Sequence, residues 1–378
     1  MKFVHLSDLH LGKRLNEFSL IEDQEFILRE IHNIISDEKP DFVVIAGDIY
    51  DKAVPSAEAV HLFDNFLTHI SGSVSHVFVI SGNHDSAERI AFGSHIMDKS
   101  GIHMSPVFEG KIDSTVLSDE YGEFCVYMLP FIKPVTVRRF FTDKNIESYT
   151  DAVNAAIDAM DVDYSKRNII VAHQFVTGAI KSDSEEISVG GSDNVDSSAF
   201  DGFDYVALGH IHGPQNVGSE RIRYCGTPLK YSFSESNQQK SVTVVEIHGK
   251  GNILVREVPL MPKHDMRRIR GDFEYLCSKE CSSKGDAKDY IHAVLTDDDE
   301  IPEALGKLRT VYPNIMSLEY DNCRTRSSHG HINEVEADNK LPIELFEEFY
   351  KFSNGREMNP EQHELVQSLI EKIWGDEE

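Results

Sequence analysis

Seven side chains in five short motifs have the types and the order needed to hold two metal ions. They are Asp8 and His10 in Asp8-Leu9-His10, Asp48 in Gly47-Asp48-Ile49-Tyr50-Asp51, Asn83 in Gly82-Asn83-His84-Asp85, His173 in Ala172-His173-Gln174, and His210 and His212 in Gly209-His210-Ile211-His212. Carboxylate and amide oxygens suit hard divalent ions, and imidazole moves the preference toward Mn, Fe and Zn. The mixed set therefore predicts two Mn²⁺ ions, with Mg²⁺ as the alternative. The expected partition gives Asp8, His10, Asp48 and His212 to the first ion and Asp48, Asn83, His173 and His210 to the second, with Asp48 as the bridge. His210 and His212 are two residues apart, so extended backbone sends both rings to one face.

Two such ions hold a hydroxide and the non-bridging oxygens of a phosphate, so in-line hydrolysis of a phosphate ester is the expected chemistry. His84 adjoins Asn83 and is not needed as a ligand. It is assigned as the general acid, or the positive group, for the leaving alkoxide. Asp85 either orients the His84 ring or is a surface carboxylate. No single motif carries this reading, because Asp-x-His or a lone surface histidine arises by chance. Their joint order carries it, each motif following an apolar run.

Those runs imply the elements that position the ligands. Lys2–Leu6, Phe42–Ala46 and 77–80 read as buried strands, separated by segments of helical periodicity at 17–36 and 57–69. Strand, helix, strand, helix, strand predicts a parallel sheet with ligands gathered at the carboxyl ends of its strands. Further strands are expected at 124–129, 168–172, 205–208, 222–225 and 241–247, with a short helix at 151–160. The fold class is α/β: two packed sheets flanked by helices. The stretch 178–200, rich in Ser, Asp and Gly, is a long loop between two ligand-bearing strands, and loops of that kind are usually functional.

The domain expectation is a catalytic domain over 1–260, a small α+β domain over 263–322, a polar linker at 323–340, and two amphipathic helices within 341–378. In the small domain, strands are expected at 290–295 and 315–319 and helices at 273–280 and 302–311. The terminal helices are too short to bury their apolar stripes alone and should dock on something.

Composition bounds the rest. The chain is 40% apolar and 27% charged, as soluble globular proteins are. It has no apolar run of about 18 residues, so no transmembrane helix is expected. Its first residues enter a strand rather than a signal peptide. Five scattered cysteines read as reduced thiols, and Cys277-x3-Cys281 lacks a second pair to complete a zinc site, which points to the cytoplasm. The formal charge of −27 argues against a DNA-binding chain, which usually has a basic face. No Gly-x4-Gly-Lys-Ser/Thr loop is present, so any ATPase activity must come from another chain.

The motif series resembles the calcineurin-like metallophosphoesterase superfamily. Further segments resemble, more narrowly, the nuclease subunits of bacterial recombination nucleases: His5-Leu6-Ser7-Asp8-Leu9-His10-Leu11-Gly12, Ala172-His173-Gln174-Phe175-Val176-Thr177-Gly178-Ala179, Ser182-Asp183-Ser184-Glu185, Ala207-Leu208-Gly209-His210-Ile211-His212-Gly213-Pro214-Gln215 and Cys225-Gly226-Thr227-Pro228-Leu229-Lys230-Tyr231-Ser232-Phe233-Ser234-Glu235. That resemblance implies a Mn²⁺-dependent DNA nuclease, acting 3′ to 5′ on duplex ends and endonucleolytically on single strands and hairpins. It implies a capping domain after the catalytic one, and a homodimer formed around 57–69 and 86–98. It also implies a large coiled-coil ATPase partner bound through the C-terminal helices. Lys13-Arg14, Arg89, Arg138-Arg139 and Arg267-Arg268-x-Arg270 are the expected phosphate contacts, and weak, salt-sensitive DNA binding is expected of this chain alone. The competing readings are a phosphoesterase for small molecules or phosphoproteins, and a non-catalytic adaptor.

Overall fold

The structure is a computed structural model, and it describes residues 1–185, 193–322, 342–354 and 356–374. It divides into two compact units, Met1–Lys263 and His264–Glu378. The expected linker at 323–340, with Cys323, lies outside the described residues, as does 186–192 of the long loop.

The first unit is built on two six-stranded sheets. In one, the order is Ile253–Pro259, Ser241–Ile247, Lys2–Leu6, Phe42–Ala46, His76–Ile80 and Ile102–Met104. Its last four strands run parallel, and Ser241–Ile247 joins Lys2–Leu6 antiparallel. In the other, the order is Gln215–Val217, Ser219–Tyr224, Tyr205–Gly209, Arg167–His173, Gly122–Leu129 and Asp113–Asp119, with a parallel centre and antiparallel edges.

Alternate residues of the central strands point between the sheets. Phe3, Phe42, Val44 and Phe78 meet Phe124, Val126, Val171 and Tyr205 in one buried cluster. Phe3 stacks on Phe42 with ring centroids 4.7 Å apart. Burying each such ring contributes roughly 1.5–3 kcal/mol. Helices Ile21–Glu38 and Ala57–Ser71 pack against each other and bury Ile27, Ile31, Ile35, Phe63, Phe66 and Ile70. Helix Tyr149–Asp158, opened by a capping box of Ser148 and Asp151, covers the second sheet.

The structure departs from expectation in places with clear causes. The first helix starts at Ile21, not 17, because Arg14–Leu15 and Phe18–Ser19 pair as a small hairpin with Asn16 and Glu17 at positive φ in its turn. The strands Asp113–Asp119 and Ile253–Pro259 escaped detection because edge strands are exposed on alternate residues and carry little apolar signal.

In the second unit, strands Met266–Gly271, Tyr290–Leu295 and Ile315–Tyr320 form a parallel sheet over a core that includes Leu276, Leu308 and Tyr312. The helix expected at 273–280 is broken: Ser278 is extended (φ −73, ψ 156) and caps the next turn through its side chain. The helix expected at 302–311 shortens to Ala304–Leu308. Helices Pro342–Asn354 and Pro360–Trp374 pair, with Glu347 and His363 in an ion pair at 3.0 Å. Among the described residues, no helix is long and apolar enough to cross a membrane.

Candidate metal centre

The carboxyl ends of five central strands, three from one sheet and two from the other, converge. Lys2–Leu6 delivers Asp8 and His10, Phe42–Ala46 delivers Asp48, His76–Ile80 delivers Asn83 and His84, Arg167–His173 ends in His173, and Tyr205–Gly209 leads into His210 and His212. The loops lock to each other by backbone: Asp8 N donates to the Gly47 carbonyl at 3.0 Å and His10 N to the Asp48 carbonyl at 3.0 Å. Asp8, His10, Asp48 and His210 all have positive φ (53°, 44°, 50° and 104°), a region costly for residues with a Cβ and typical of functional sites.

Two glycines make the close approach possible. A Cβ at Gly82 would lie 2.0 Å from Asp48 Oδ1, and one at Gly209 would lie 1.9 Å from the Ala46 carbonyl oxygen.

The side chains form two adjoining groups. In one, His10 Nε2 lies 3.2 Å from His212 Nε2 and 3.7 Å from Asp48 Oδ2, and the ligand atoms of Asp8, His10 and His212 all fall within 4.8 Å of one another. In the other, Asn83 Oδ1 lies 3.0 Å from His173 Nε2 and 2.9 Å from His210 Nδ1, while His173 Nε2 is 3.4 Å from Asp48 Oδ2. Asp48 touches both groups. Asp8, His10, Asp48, His173, His210 and His212 are buried, and Asn83 is half-buried.

The electrostatics are those of a centre built around positive charge. Burial, and then the nearby Asp48 charge, pushes Asp8 up to about 6. Burial alone would also raise Asp48, but His173 and His10 reverse this and hold it well below the usual carboxylate range. Burial would lower His173, yet the Asp48 carboxylate holds it up at about 9. Burial, with His173 beside it, lowers His210 to about 3, and burial lowers His10 too.

Divalent cations fit the donors present. Two imidazole nitrogens facing at 3.2 Å oppose their lone pairs unless a cation or proton lies between them, and a cation near Asp8 and Asp48 removes their mutual repulsion. His173 Nδ1 donates to the Ala46 carbonyl at 2.8 Å, which leaves Nε2 as the ring atom facing Asn83 and Asp48.

His84 stands at the edge of this cluster, 4.0 Å from Asp48 Oδ2 through Nε2. Its Nδ1 donates to the Asp51 carbonyl at 3.2 Å, so Asp51, not Asp85, orients the ring. Asp85 is neither of the two things expected of it. Its carboxylate accepts from the N–H groups of Gly82 (2.9 Å), Ile49 (3.1 Å) and Tyr50 (3.0 Å), strapping the second motif to the third.

Several functional contacts were missed. Ser184 and Glu185, in the long loop, contact His212, and Glu235 and Lys240 stand behind them. Phe175 packs near His210 with Lys181 Nζ 3.7 Å from its ring centroid, and Phe131 meets His173 edge-on with Lys133 5.8 Å over its ring. Motif spacing could not find these residues, because their partners are remote in sequence. Of the basic residues singled out, Lys13 is tied to Asp51 at 2.7 Å, Arg267 to Asp289 at 2.6 Å, Arg268 to Glu319 at 3.2 Å, and Arg270 to Asp321, whereas Arg89, Arg138 and Arg139 are exposed.

Comparison with known proteins agrees with this geometry. The family model for calcineurin-like phosphoesterases matches residues 1–214. The SbcD_C model, the "Type 5 capsule protein repressor C-terminal domain", matches residues 262–354. The chain is 34% identical over 379 residues to the SbcD subunit of nuclease SbcCD from Staphylococcus epidermidis, covering 99% of each protein. It is 32% identical over 382 residues to the protein of the same name in Staphylococcus saprophyticus, covering 98% of each. A crystal structure of a dimetal phosphatase from Danio rerio aligns with 69% of this chain and 98% of its own at a TM-score of 0.38 and 12% identity, too remote to add weight. The chain therefore belongs to the calcineurin-like phosphoesterases and, within them, to the SbcD family of nuclease subunits, and is a metal-dependent hydrolase of phosphate esters.

Proposed function

We propose that the chain is a Mn²⁺-dependent DNA nuclease: a 3′-to-5′ exonuclease on duplex ends and an endonuclease on single strands and hairpins, working with a coiled-coil ATPase in recombination, replication and end processing. The observation that carries the reading is the convergence of Asn83, His173 and His210 beside Asp48, with His10 also against Asp48 and Asp8 and His212 clustered with His10. In this reading Asp8, His10, Asp48 and His212 hold one ion, and Asp48, Asn83, His173 and His210 the other. Bound there, the ions supply an activated water and neutralise the charge that grows on the phosphate. The Ala46 carbonyl orients His173, the Asp51 carbonyl orients His84, and His84 Nε2 is left facing the cluster to give a proton or positive charge to the departing oxygen.

The net charge of −27 is met locally rather than globally. Lys181 and Lys133, each over a phenylalanine that borders the second group, offer phosphate contacts. The remaining basic surface would come from the partner, consistent with the names of the relatives. Residues 1–260 are the catalytic domain, 263–322 the cap, and 341–378 the partner-binding helices. Leu345, Phe349, Leu365 and Leu369 on those helices are exposed, which suits docking on a coiled coil. Phe92 (82% exposed) and Ile96 (77%), within 86–98, suit a homodimer surface.

The test is a substrate panel of linear duplex, hairpin DNA and p-nitrophenyl phosphate esters, with Mn²⁺, Mg²⁺ or EDTA. Cleavage of DNA in Mn²⁺ and none in EDTA is expected. Hydrolysis of the small esters with intact DNA would assign the chain to the small-substrate phosphoesterases instead.

A further inference from the structure

The His212 ring is held from behind by a buried polar chain. Its Nδ1 lies 2.6 Å from Ser184 Oγ, and the Ser184 hydroxyl donates to Glu235 Oε1 at 2.6 Å. A serine hydroxyl has one proton, so with that proton directed at Glu235 the oxygen must accept from His212 Nδ1–H. Glu235 is fully buried, and its other oxygen takes Lys240 Nζ at 2.5 Å. The same ammonium donates to the His212 carbonyl at 2.9 Å, and Glu185 Oε1 accepts from the His212 N–H at 2.8 Å. Ring, N–H and carbonyl of this one residue are all gripped by side chains.

The polarity of that chain fixes a tautomer. With its proton on Nδ1, His212 keeps a lone pair on Nε2, the atom that faces His10 Nε2 at 3.2 Å. Ser184 itself lies on the segment 178–185. That segment is anchored independently: Gln215 both accepts from Ile180 N and donates to the Ile180 carbonyl at 2.8 Å, and Asp183 N donates to Ser234 Oγ at 3.1 Å.

We propose that Ser184, backed by Glu235 and Lys240, is a positioning residue that sets His212 as an Nε2 donor to the first metal ion, so that seating of the 178–185 segment and occupancy of that ion are coupled. The proposal rests on the metal-binding reading of the cluster. A histidine free to rotate or to change tautomer binds a cation more weakly, and loss of such a supporting partner typically costs about 10–100-fold in metal affinity.

The test is Mn²⁺ titration of the full chain, by calorimetry and by the electron paramagnetic resonance signal of free Mn²⁺, on three variants. Ser184→Thr and Ser184→Val have the same shape and differ in the hydroxyl, so their comparison isolates the hydrogen bond from packing. Ser184→Ala is the third. Wild type and Ser184→Thr should each bind two ions. Ser184→Val and Ser184→Ala should bind one ion normally and the other about 10–100-fold more weakly, with unchanged near-ultraviolet circular dichroism. In the metal-free protein, ¹⁵N chemical shifts should report His212 protonated on Nδ1, a signature lost in Ser184→Val. Equal Mn²⁺ affinities for Ser184→Thr and Ser184→Val would overturn the proposal. A wild type that takes up no Mn²⁺ would overturn the metal reading itself, a separate result.

Discussion

The His84 ring donates through Nδ1 to the Asp51 carbonyl at 3.2 Å, which leaves its Nε2 4.0 Å from Asp48 Oδ2 and its ring edge-on to His10 with centroids 4.9 Å apart. His84→Ala should therefore keep the metal ions and lose cleavage, by about 10²–10⁴-fold, the range of a missing proton-transfer group. Metal content and single-turnover rate measured on the same sample check this. Full cleavage would remove the role of His84.

Asp85 should matter for a different reason. Its carboxylate accepts from three backbone N–H groups in two motif loops, so Asp85→Ala strands those donors. A loss of about 2–4 kcal/mol in chemical denaturation is expected, together with weaker Mn²⁺ binding. A stability within about 0.5 kcal/mol of wild type would show that the strap is dispensable.

Metal uptake should depend on pH with a definite sign. In the metal-free protein, burial holds Asp8 at about 6, and the Asp48 carboxylate holds His173 at about 9 against the opposing effect of burial. Both groups have folded pKa values above their ordinary ones, so both favour the protonated form in the fold. Those protons must leave for a cation to bind. Apparent Mn²⁺ affinity therefore rises with pH across 6 to 9, and falls by roughly tenfold or more per unit below that window. Mn²⁺-induced shifts in Tm, measured from pH 5.5 to 9, should grow with pH. A shift that is flat or shrinks with pH would contradict the assignment of these two side chains.

Lys181 should act on binding rather than on the chemical step. Lys181→Ala is expected to raise KM for DNA with little change in kcat, and to lower the log–log salt slope of binding by about 1. Unchanged salt dependence would place its charge outside the DNA path.

Deletion of residues 341–378 should leave Mn²⁺-dependent cleavage intact and abolish association with the coiled-coil ATPase. Retained association would show that the exposed apolar stripe of Leu345, Phe349, Leu365 and Leu369 is not the docking surface.

The parts legible in the sequence are those governed by short-range pattern. Buried parallel strands such as Phe42–Ala46 and His76–Ile80 are continuous apolar runs, and each ligand motif follows one directly, so strand, loop and ligand could be read together. What stayed hidden depends on residues brought together from far along the chain. Asp85 turns its carboxylate to Ile49, 36 residues earlier, which no local spacing reveals. Ser184 and Glu235 lie 51 residues apart and meet only because the 178–185 segment returns to the 209–212 loop. The arginines at 267, 268 and 270 read as a basic cluster, but each faces an acidic residue on a neighbouring part of its own small domain.

Asp48 lies against His10 of one group and His173 of the other, so its removal tests the two-ion account most directly. The measurement is bound Mn²⁺ per chain, together with cleavage of a linear duplex, for wild type and Asp48→Ala. Two ions and cleavage for the wild type, and loss of both ions and of cleavage in the variant, are the predicted result. A variant that still binds two ions and cuts DNA at the wild-type rate would contradict it.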